Sequence, residues 1–61
     1  MSVFKIPAAN WSDELAAAMR EAVSGDTVVV RTEPMLRLAE IAAQRMGKEG
    51  VTLTIADKLD D

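Results

Sequence analysis

Sixty-one residues with a net charge of -3, a pI near 4.7 and no cysteine leave room for one domain and for neither a disulfide framework nor a thiolate metal site. Seven Lys and Arg among ten acids disfavour nucleic acid, whose phosphates demand a basic patch that displaces counterions. The first seven residues lack the pattern of a signal peptide, and no apolar run approaches the ~20 residues that span a bilayer, so a cytoplasmic protein without a membrane partner is expected.

In chain order, Val3 to Ile6 reads as a short strand stopped by Pro7, which cannot donate to a ladder. Residues 8–12 form a loop running into a helix, with Ser12 expected as N-cap, Asp13 and Glu14 at the positive end of the helix dipole, and Trp11 stapled onto the first turn. Leu15, Ala18, Met19, Ala22 and Val23 recur at helical spacing, and Gly25 is expected to end the helix. Thr27 to Arg31 is the strongest strand, because three successive valines suit a central, doubly covered position.

Thr32 is expected to cap a second helix, with Pro34 tolerated in its first turn and Glu33 able to pair with Arg37. Met35, Leu38, Ala39, Ala42 and Met46 form its expected core stripe, and Gly47 closes it. Val51 to Ile55 alternates apolar residues with Thr52 and Thr54, the period of a strand with one wet face. The fold class is thus α/β. One β-α-β-α-β domain occupies residues 1–56, followed by an acidic, frayed tail at 57–61.

Each connection between strands contains a helix, so the strands should be mainly parallel with right-handed crossovers. The preferred order is 1-2-3, which sets both helices on one face. If Val28 and Val30 point toward them, the other face carries Val3, Lys5, Thr27, Val29, Arg31, Thr52 and Thr54. Order 2-1-3, with one helix on each face, is the alternative. The core is thin in either case. Ten of the apolar residues are alanines, and the large core formers reduce to Phe4, Ile6, Leu15, Leu36, Leu38, Ile41, Leu53 and Ile55. A chain this short hides only roughly 60% of its unfolded surface, so self-association is an expectation from the outset.

The catalytic inventory is sparse. Histidine, cysteine and tyrosine are absent, which removes the usual proton shuttle, thiolate nucleophile and phenolic acid. No phosphate loop, calcium loop or nucleophile elbow occurs, and Ser24-Gly25-Asp26 follows a helix where a phosphate cradle would precede one. No enzyme, cofactor or metal is expected; the residues left for catalysis would be Asn10, Arg31, Glu33 and Asp57.

Two surfaces suit binding. Ligands of open parallel sheets gather at the carboxyl ends of the strands. That rim collects Asn10, Trp11 and Ser12 after the first strand, Arg31, Thr32 and Glu33 after the second, and Ala56 and Asp57 after the third. Asn10, Trp11, Arg31, Thr32 and Glu33 are the candidate contacts, although capping and stapling alone account for several of them. The second surface is the second helix, where Leu36 and Ala43 extend the apolar arc on one flank and Ile41 on the other. These three are the expected interface residues, in a homodimer or on another protein.

Asn10-Trp11-Ser12-Asp13, the segment Gly25 to Glu33 (Gly-Asp-Thr-Val-Val-Val-Arg-Thr-Glu) and Leu38-Ala39-Glu40 resemble small accessory proteins of actinobacterial phages. The resemblance covers most of the chain through caps, turns and a valine strand. It implies a phage or actinobacterial setting, with the host cytoplasm as location, and it implies no activity and no functional residue. The leading expectation is a protein-binding or homo-oligomeric module, such as a phage factor that binds a host protein. The alternative is a small-ligand or nucleotide-binding fragment using the carboxyl-end rim.

Overall fold

A computed structural model of the chain describes residues 1–56; the tail at 57–61 and its Asp57 lie outside the described residues. Strand β1 (Val3–Lys5) is followed by helix α1 (Trp11–Glu21), strand β2 (Thr27–Val30), helix α2 (Glu33–Met46) and strand β3 (Thr52–Ile55). The strands form one parallel sheet in the order β1-β2-β3, with the valine strand at its centre.

The register aligns Phe4, Val28 and Leu53 across the sheet, and Val30 with Ile55. Val28 and Val30 are fully buried. Ile6 joins them beneath Leu15, Ala18 and Met19 of α1 and Met35, Ala39 and Ala43 of α2. Both helices therefore cover one face, as two right-handed crossovers in this strand order require. The opposite face presents Val3, Lys5, Thr52 and Thr54 to solvent, with Thr27 and Val29 half-buried between them.

Helix α1 begins earlier and ends sooner than its pattern suggests. Asn10, not Ser12, occupies the N-cap position, in the left-handed region at φ 55° and with no side-chain capping bond. The Asn10 carbonyl accepts from the Glu14 N–H at 3.1 Å, which closes the first turn ahead of Ser12. At the other end Ala22 turns extended while its N–H still reaches the Ala18 carbonyl. Val23 consequently leaves the core stripe and is exposed. Gly25, at φ 97°, shapes the turn into β2 rather than the helix end.

Helix α2 keeps its expected ends. Thr32 Oγ1 accepts from the Met35 N–H at 3.4 Å, and Pro34 lies in the first turn. Gly47 adopts φ 68°; its N–H donates to the Gln44 carbonyl and the Lys48 N–H to the Ala43 carbonyl, the paired bonds of a Schellman ending. The helix is rotated from the expected stripe, however. Met35, Ala39 and Ala43 face the core, while Leu38 is 48% and Met46 44% exposed. Two alanines one turn apart let the helix lie close on the sheet, which leucine at the same positions would prevent.

Three long-range ties hold the amino-terminal end of the sheet. Asp26 is the one buried charged residue among those described. Its Oδ2 accepts from the Val23 N–H at 3.0 Å and its Oδ1 from the Ser2 N–H at 2.8 Å. Those two bonds hold its carboxyl below the ordinary value of 3.8, against an opposing push from burial. Lys48 Nζ donates to the Arg20 and Ala22 carbonyls at 2.6 and 2.8 Å, placing a cation on the negative end of α1. The Gly50 carbonyl accepts from the Gly25 N–H at 3.0 Å, and Gly50 sits so close that an added Cβ would come within 2.8 Å of Ser24 Cβ.

Candidate functional site

The parallel topology brings the predicted rim together. The loops after β1 and β2 both open at the carboxyl ends of their strands, so Asn10, Trp11, Arg31, Thr32 and Glu33 share one end of the sheet. Their roles diverge there. Trp11 is half-buried and packs its ring against the core, as a staple does. Thr32 uses its hydroxyl as a cap. Asn10 and Glu33 are exposed. Arg31 is half-buried, and its Nε is enclosed without a hydrogen-bond partner among the described residues. A buried donor left unpaired costs free energy.

A concavity lies along the flank of the domain, between α2 and β3. Arg37, Glu40, Ile41 and Lys48 wall it, above a floor that includes Val51 and Leu53. A smaller hollow beside it on α2 is lined by Glu33, Leu36, Arg37 and Glu40. The groove is open, apolar at its base and charged at its lip.

The expected interface residues divide on this surface. Ile41 is 47% exposed and lines the groove. Leu36 is half-buried, with one side against the core and the other on the groove margin. Ala43 is a correction: it is buried at 8% exposure and belongs to the core, because α2 rests on its alanine stripe. Leu38 and Met46, expected in the core, are the exposed apolar residues instead. Helical periodicity alone misses this, since a wide apolar arc does not say which part of it meets the sheet.

Among the described residues no three His, Cys, Asp or Glu side chains gather to hold a metal ion. No described helix is long and apolar enough to cross a membrane. No family model matches the chain, and no curated protein or solved structure matches it.

Proposed function

We propose that the chain is a small, non-enzymatic protein-binding module of the cytoplasm, which associates with itself or with a partner protein through the outward flank of α2. One observation carries this reading: Leu38 and Ile41, three residues apart on the same helix, are each about half exposed on a domain with few large core residues. Large aliphatic side chains contribute most where water is excluded from them, and here only association excludes it. The resemblance to phage accessory proteins supports a host protein as the heterologous partner.

The test is light scattering over a wide concentration range, with Ile41→Glu as the perturbation. Association that Ile41→Glu weakens, in a variant that keeps its circular dichroism and melting profile, supports the reading. Complexes that are indifferent to both Ile41→Glu and Leu38→Glu refute it.

The enclosed Nε of Arg31 favours a second reading, a small acceptor-bearing or anionic ligand at the carboxyl-end rim. Such a ligand raises the melting temperature by binding only the folded state. A thermal-shift panel of carboxylates and nucleotides with no response in the wild type, or the same response in Arg31→Gln, removes it.

A further inference from the structure

We propose that the Met1–Ser2 bond is a processing site, whose hydrolysis leaves an α-ammonium on Ser2 paired directly with the buried carboxylate of Asp26. The site lies at the amino-terminal end of the sheet, opposite the carboxyl-end rim, and uses none of the α2 flank residues.

Ordered contacts begin at Ser2 rather than at Met1. The Ser2 carbonyl accepts from the Thr27 N–H at 2.9 Å, the bond that opens the pairing of β1 with β2. The Ser2 N–H donates to Asp26 Oδ1 at 2.8 Å. Ser2 is thus held by both of its backbone groups, whereas Met1 is fully exposed. A large apolar side chain left wholly in water adds nothing to a core this small.

Asp26 is fixed in place around its charge. Its N–H donates to the Val23 carbonyl and its carbonyl accepts from the Thr52 N–H, both at 2.9 Å. The end of α1 and the start of β3 therefore pin its backbone. The carboxyl accepts from the Val23 and Ser2 N–H groups, and its side chain is only 7% exposed. A buried carboxylate calls for a paired cation as well as hydrogen bonds. The cation it has is the α-ammonium of Met1, which stands 3.9 Å from Oδ1 on an exposed residue. Such a pair is long and open to water, and contributes little.

Moving the amino terminus by one residue completes the pair. Water adds across the bond between the Met1 carbonyl carbon and the Ser2 nitrogen. Methionine leaves as the free amino acid, and its new carboxyl proton passes to the Ser2 amine, which becomes an ammonium. That nitrogen already lies 2.8 Å from Asp26 Oδ1. A neutral donor becomes a charge-assisted one on the same acceptor, which makes the bond roughly twice as strong. The sequence also suits the chemistry. Peptidases that remove a leading methionine accept only a small neighbour, because their pocket for the second side chain is narrow, and serine is small.

Two measurements test this. Intact mass spectrometry of the full chain produced in a bacterium is expected to show one methionine lost and Ser2 as the first residue. A chain that keeps Met1 overturns the processing site. Thermal unfolding is then compared for three synthetic chains, beginning at Met1, at Ser2 and at Nα-acetyl-Ser2. The acetyl group restores a neutral N–H and removes the charge without altering any side chain. The free Ser2 chain is expected to melt about 4 °C or more above the other two, and Asp26→Asn to erase that difference. Equal melting of the free and acetylated Ser2 chains overturns the ion pair, and this comparison decides the matter even where Asp26→Asn does not fold. A difference that persists in a folded Asp26→Asn chain overturns the pair as well.

Discussion

Met19 and Leu38 are both large apolar residues on amphipathic helices, yet the structure gives them opposite weights. Met19 is fully buried among Leu15, Ala18, Val28 and Val30, whereas Leu38 is 48% exposed. Met19→Ala removes transfer free energy and leaves a cavity that a sheet and two helices cannot fully collapse, at about 2–4 kcal/mol. A chain of 61 residues holds a total of roughly 3–9 kcal/mol at about 0.05–0.15 kcal/mol per residue, so this one truncation consumes much of its stability. Leu38→Ala forfeits only the buried half of one leucine, about 1 kcal/mol at most. Urea unfolding followed by the fluorescence of Trp11, the single tryptophan, separates the two. With m near ~1 kcal/mol/M for a chain of this size, Met19→Ala should lower the midpoint by about 2 M or more at unchanged m, and Leu38→Ala by no more than ~1 M. Repeating both at two protein concentrations separates fold stability from association. Equal losses at both concentrations would refute the rotation of α2 onto its alanine stripe.

Three further outcomes follow from the long-range ties. Gly50→Ala should destabilise the fold by about 1–3 kcal/mol although Gly50 is exposed, because the added methyl meets Ser24 Cβ and Cα at 2.8 and 3.2 Å; a melting temperature equal to wild type contradicts that close approach. Lys48→Met strips the cation from two carbonyls at the end of α1, and a loss of about 1 kcal/mol with faster amide exchange in the last turn of α1 is expected. Asp26, held below its ordinary carboxylate value, contributes stability that is full above the unfolded-state value of 3.8 and is lost as pH falls from there through the folded value. Asp26→Asn should flatten that acid limb of the stability curve, and an unchanged limb assigns it to other carboxylates.

Much of the fold follows from local chemistry. The valine run, the threonine alternation of β3, the Thr32 cap and the Gly47 ending act within a few residues, and each appears where the pattern places it. The preferred strand order is the one observed, β1-β2-β3, but right-handed crossovers are equally compatible with 2-1-3, so the folded sheet made that choice. The rim residues were legible because strand ends and helix starts are properties of the chain's order.

What the sequence by itself determined, then, is the succession of elements, their parallel pairing and the end of the sheet where their loops open. Tertiary structure alone decided the rotation of α2, which exposes Leu38 and Met46 and buries Ala43. The pattern was apolar over too wide an arc to choose, and the closeness of helix to sheet resolved it in favour of the smallest side chains. It also decided the partners of Asp26 and Lys48, which reach across 24 and 28 residues to backbone groups. A hydrogen bond to a carbonyl or an N–H carries no side-chain signature at the far end, so only the folded chain reveals which residue it has found.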